Sequence, residues 1–177
     1  MEDLIESFSC INFKDYDEQI QIINTEITRD ILSPIHVMCK YGYIDLLRYY
    51  INNTNKNEES KYTLDTPLHI AVKFNQKNIV NFLCINKVDI NKKNSSNMTS
   101  LYYALRMDNI DIIDQLLKFG ANINEALEYS VYYNLNHILY MSLQYDIEYI
   151  LLENALALAY KNNYTNGIVM IMNHIEK

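Results

Sequence analysis

The sequence has no tryptophan, two prolines and three glycines in 177 residues. Gly42, Gly120 and Gly167 lie far apart. That spacing excludes a P-loop, a G-x-G-x-x-G turn and a G-x-S-x-G elbow, each of which needs clustered glycines. Cysteine is scarce as well: Cys10, Cys39 and Cys84 form no C-x-x-C pair, and their odd number argues against a disulfide framework. All three read as reduced thiols of an intracellular, cytoplasmic protein. An excess of positive charge is missing. Fifteen Lys and Arg face 22 Asp and Glu, giving a formal charge of −7 and a pI of about 5.0. Such a surface disfavours nucleic acid and anionic lipid as partners. No apolar run approaches the roughly 18 residues of a membrane span. The acidic start, Met1 to Glu6, lacks the basic and apolar regions of a signal peptide.

What remains is 49% hydrophobic and carries 16 tyrosines. The length suits one domain with a real core. Three evenly spaced segments read alike: Ser33-Pro34-Ile35-His36, Thr66-Pro67-Leu68-His69 and Thr99-Ser100-Leu101-Tyr102. In the middle unit Thr66 caps a helix with Pro67 in its first turn. Leu68, Ala71 and Val72 share one face at helical spacing, and Asn75 stops the helix where the chain turns left-handed. A second helix follows near Gln76 to Asn86, with Ile79, Val80, Phe82 and Leu83 inward. An extended arm then runs from Asp89 to Met98, with Asn97 in a glycine-like turn position. The third unit repeats the pattern through Leu101, Ala104, Leu105, Ile112, Ile113, Leu116 and Leu117.

A thirty-three-residue period headed by T-P-L-H, with the closing phrase Leu116-Leu117-Lys118-Phe119-Gly120-Ala121-Asn122-Ile123-Asn124, resembles the ankyrin-repeat family. The resemblance implies an all-α solenoid of about five helix-pair repeats with no cofactor and no catalysis. Residues 1–28 form an N-terminal cap over the first open face. Repeats fall near 29–61, 62–93, 94–124, 125–153 and 154–177. The fourth starts at Glu125-Ala126-Leu127 after a shortened arm, and the fifth at Asn154-Ala155-Leu156. Residues 52–63 are polar and read as a longer, mobile loop. Composition and truncated arms look like ankyrin proteins of large DNA viruses, notably poxviruses. That likeness implies a protein that binds and blocks a host signalling or restriction factor in the host cytoplasm; the chain is expected to be a monomer. A ubiquitin-ligase adaptor and, further off, a metal-binding protein are the alternatives.

Candidate chemistry is thin. His36 and His69 read as hydrogen-bonded histidines that tie a turn to the next unit. His36 with Cys39 supplies two zinc donors on one helix face, and no third is near, so no metal site is expected. Seven and eight residues after each repeat start stand Lys40-Tyr41, Lys73-Phe74, Arg106-Met107, Tyr132-Tyr133 and Lys161-Asn162. The family implies that these positions line a concave binding face. A recurring cation beside an aromatic or Met suits an acidic protein partner with apolar anchors. The competing reading is a solvated cation at a helix C-terminus, where the macrodipole favours it. Arm tips at Tyr62, Thr63, Asp65, Ser95, Ser96 and Met98 flank this column. Lys73 and Arg106 are both expected to face water.

Overall fold

The repeat period becomes a series of short helices in a computed structural model, which describes residues 16–27 and 32–176. Helix α1 spans Asp17–Ile27. Helix pairs follow: α2 Pro34–Tyr41 with α3 Ile44–Tyr50, α4 Pro67–Lys73 with α5 Lys77–Ile85, and α6 Ser100–Arg106 with α7 Ile110–Lys118. The last pairs are α8 Ile123–Tyr132 with α9 Asn136–Ser142, and α10 Tyr149–Lys161 with α11 Thr165–Ile175. A 3-10 turn, Ile51–Asn53, follows α3. No strand occurs among the described residues. The chain parts into two units between Tyr103 and Ala104. Cys10, and the part of the expected cap before Tyr16, lie outside the described residues.

Within the first unit α1 packs on α2, and the first helices of successive pairs, α2 and α4, pack on each other. Ile23, Ile35, Met38, Leu47, Leu68, Ala71 and Leu83 are buried in this unit. The T-P-L-H phrases explain why the helices start where they do. At α4, Thr66 and His69 form a reciprocal capping box, and Pro67 occupies the first turn. Scarcity of glycine is met with asparagine. Gly42, Asn75 and Asp108, each one period after the last, all take left-handed φ (76°, 54° and 52°). Short polar side chains that bond locally tolerate that region best after glycine. Leu64 (φ 52°) takes the same conformation as Asn97 (φ 60°) one period later, without such a side chain.

Residues 52–63, expected as a mobile loop, make side-chain contacts to the next repeat. The Asn57 side chain accepts from the Asp89 N–H at 2.8 Å, Lys92 pairs with Glu59 at 2.9 Å, and Lys56 donates to the Asn86 carbonyl. Polar residues gave no apolar signature, yet their side chains bond the neighbouring arm.

The second unit packs α8 with α9, α10 with α11, α8 with α10, and α9 with α11. Its core holds Leu127, Val131, Leu139, Leu143, Leu152, Ala155, Ala159, Tyr164 and Ile171. Helix α10 begins at Tyr149, ahead of the expected repeat start at Asn154. No proline or capping threonine stands before Asn154 to stop the helix winding back. Helix α8 likewise begins at Ile123, capped by Asn122, whose side chain accepts from the Asn124 N–H at 3.0 Å.

Candidate protein-binding surface

The two T-P-L-H histidines do structural work. Each imidazole Nε2 lies against a carbonyl 29 residues on, His36 on Asp65 at 2.9 Å and His69 on Met98 at 3.0 Å. A carbonyl only accepts, so Nε2 carries the proton. For His69, Nδ1 is then free to accept from the Thr66 N–H at 3.1 Å. Both rings are fully buried. Burial holds both imidazoles below their ordinary pKa, outweighing the carbonyl hydrogen bonds that pull the other way.

The expected column separates into cations that the chain uses internally and residues that face solvent. Lys40, at the end of α2, pairs with Glu26 of α1 at 2.7 Å. That carboxylate is the main cause of its raised pKa. Its Nζ also lies 4.8 Å from the Tyr41 ring and 5.7 Å from the Phe74 ring, so the lysine bridges the two aromatics. Lys73 does not face water as expected. It pairs with Asp65 at 2.6 Å and lies 4.2 Å over the Tyr103 ring. Asp65, expected at an arm tip, is 2% exposed. Its carboxylate also accepts from Asn94 at 2.8 Å and Thr63 at 2.7 Å. Burial pushes this carboxyl toward protonation, but the hydrogen bonds from Asn94, Lys73 and Thr63 together outweigh it and hold the pKa low. The interior needs that carboxylate because Asn94, itself buried, would otherwise lose an acceptor.

Of the arm residues, Tyr62, Thr63, Ser95 and Ser96 are exposed. The Thr63 carbonyl accepts from the Ser95 N–H at 2.9 Å, bringing the two arms together. The Met98 side chain is half-buried. Tyr41 and Phe74 keep 40% and 47% of their surface, large values for aromatics held by a lysine between them.

In the second unit Arg106, Met107, Tyr132, Tyr133 and Lys161 are all exposed. Tyr133 packs on Tyr129 at 4.5 Å and on Tyr132 at 4.9 Å between ring centres. Cross-ties again join successive helix pairs: Tyr145 donates to the Asp114 carboxylate at 2.7 Å, and Tyr164 to Asn136 at 2.7 Å. Among the described residues no group of three or more His, Cys, Asp or Glu could hold a metal ion. Cys39 and Cys84 are free and buried, and burial pushes both thiols up, Cys84 to about 12. No helix among the described residues is long and apolar enough to cross a membrane.

Sequence reasoning missed Glu26, Asn94 and Tyr103 as parts of this surface's support. No spacing rule on a single helix links Glu26 to Lys40, because the contact crosses from α1 to α2.

A family model of ankyrin repeats, three copies, matches residues 16–94 and 35–126. The chain belongs to the ankyrin-repeat family. Among its relatives is the fowlpox virus ankyrin repeat protein FPV230, 40% identical over 81 residues, 39% of this chain and 43% of that protein. Another is FPV223 of the same virus, 33% identical over 86 residues, 49% of this chain and 53% of that one. Alpha-latrocrustotoxin-Lt1a of Latrodectus tredecimguttatus is 31% identical over 103 residues, 58% of this chain but 7% of the toxin. The chain thus spans about half the length, or much less, of these relatives. Among solved structures, the ankyrin repeat domain of Bcl-3, a member of the IkappaB protein family, superposes with a TM-score of 0.59. It covers 64% of this chain and 55% of its own at 20% identity, a likeness of fold. Ankyrin repeats are protein–protein interaction modules, and this one resembles those of poxviruses.

Proposed function

We propose that the chain is a non-catalytic, intracellular binding module that occupies a host signalling or restriction factor and so blocks it. The observation that carries this is the pair Tyr41 and Phe74. Two large rings stay about half exposed while Lys40, anchored by Glu26, fixes their positions. Rigid, solvent-facing aromatics make low-entropy anchors for a partner. Lys40 and Lys73 have carboxylates of their own, so the aromatic pair, and not these lysines, is what this surface offers a partner. The fowlpox relatives support the viral side of this reading.

Affinity capture from candidate host cells, followed by binding kinetics of the captured protein, tests it. Phe74→Ala should weaken binding by about 1–4 kcal/mol, chiefly through a faster off-rate. Tyr41→Ala should weaken it in the same way. Unchanged kinetics for both variants would move the interface off this surface.

A further inference from the structure

The first two repeats build the same three-part contact. Lys40 Nζ sits between the Glu26 carboxylate and the rings of Tyr41 and Phe74. Lys73 Nζ sits between the Asp65 carboxylate and the ring of Tyr103. In each, a carboxylate and the negative face of an aromatic ring hold one ammonium group. The lysine comes from the same point of the repeat both times.

At that point in the fourth repeat stands Tyr132. Helix α8 contains no Lys or Arg. Its Glu128 and Tyr132 follow one another at i and i+4, on one face of the helix. Tyr133 closes the helix and packs edge-on against the Tyr132 ring and at a tilt against that of Tyr129. Tyr132 and Tyr133 are 62% and 53% exposed. Among the described residues no cation lies over either ring. Glu128 accepts from the neutral Asn124 side chain at 2.7 Å and pairs with no cation there. The aromatic and the carboxylate are in place, and the third member is absent. The wider charge agrees: nine carboxylates against four cations give residues 104–177 a formal −5 of the chain's −7.

We propose that this face of α8 takes its cation from another protein, docking a basic segment whose arginine or lysine covers the Tyr132–Tyr133 pair beside Glu128. The surface is distinct from the Tyr41–Phe74 pair and goes beyond the function proposed above, so either can fail alone. Long-range attraction to the acidic unit would bring the segment in, and the rings would give it a seat.

The test titrates the full chain, its tyrosines labelled for NMR, with blocked octapeptides that alternate glycine with arginine, lysine or serine, and with spermine. Saturable shifts of the Tyr132 and Tyr133 rings are expected with the arginine and lysine peptides and not with the serine peptide. Tyr132→Ser/Tyr133→Ser should bind the arginine peptide about tenfold more weakly, Glu128→Gln should lose a smaller factor, and Phe74→Ala should bind as the parent does. Thermal melts of each variant confirm that it folds, which the exposure of both tyrosines favours. The proposal is overturned if the arginine peptide leaves both rings unmoved, or if its affinity survives the double substitution. Spermine binding as tightly as the arginine peptide also overturns it, because a diffuse attraction of polycations would then suffice.

Discussion

Replacing Lys73 tests whether the repeat's charged column serves the fold or a partner. Lys73→Met keeps the length and apolar stem of the side chain but removes the ammonium that lies 2.6 Å from Asp65. The Asp65 side chain is 3% exposed, so its charge cannot turn to water. Breaking a buried pair from one side costs about 3–5 kcal/mol. Here Asn94 and Thr63 still donate to the carboxylate, and Lys73 keeps 26% of its side-chain surface, which lowers the expectation to about 2–3 kcal/mol. Lys73→Glu should cost more, since it sets a second carboxylate beside the first. Arg106→Glu, at the same point of the next repeat, is exposed and should stay within about 0.5 kcal/mol of the parent. Urea denaturation followed by far-UV circular dichroism measures all three. A double-substitution cycle with Asp65→Asn isolates the pair, with a coupling of about 1–3 kcal/mol expected. Lys73→Met as stable as an ordinary surface variant, within about 0.5 kcal/mol of the parent, or a coupling near zero, would refute the claim that Asp65 depends on this lysine. Lys73→Glu is consequently a poor probe of binding, because lost affinity would report lost structure.

Leu64 holds left-handed φ with its side chain 40% exposed, so Leu64→Asn should stabilise the chain by about 1 kcal/mol in the same assay. Ser100 stands where the first two repeats have Pro34 and Pro67, and its buried hydroxyl lacks a partner among the described residues; Ser100→Pro should add about 0.5–1 kcal/mol. Gly167→Ala should destabilise by about 2 kcal/mol or more, because a Cβ there would meet the buried Tyr164 ring at 2.2 Å. The depressed pKa of His36 and His69 makes the unfolded chain the better proton acceptor: stability should be full above about pH 6.5, the ordinary imidazole value, and fall as pH drops toward the folded-state values. Urea midpoints at pH 7.5 and 5.5 check this, and His69→Gln should reduce the dependence.

The helices, their order and their buried faces were legible because each rests on a local rule repeated in phase. Thr66, Pro67 and His69 mark a start within a single turn, and Leu101, Ala104 and Leu105 place a face by spacing alone. Asn75 and Asn97 were legible as left-handed turns for the same reason. The starts of α8 and α10 were not, because past Gly120 the arms shorten and no Thr-Pro phrase remains to set the phase. The side-chain bonds from the polar segment at 52–63 to Asn86, Asp89 and Lys92 were not legible either, because all three partners lie in the next repeat and composition cannot register them.

The charged column shows why a register identifies a position without identifying its use. A cation at the end of a first helix satisfies the macrodipole, an internal carboxylate or a partner equally well, and the sequence looks the same in each case. What decides is whether another part of the chain delivers a carboxylate. Helix α1 brings Glu26 to Lys40, and the arm before α4 brings Asp65 to Lys73. The fourth repeat inverts the arrangement. Its shortened arm starts α8 directly after Asn122, which puts Glu128 on the helix itself, one turn before Tyr132. On the docking proposed above, the deletion that blurs the repeat in the sequence is what would turn a cation-bearing position into a cation-accepting one.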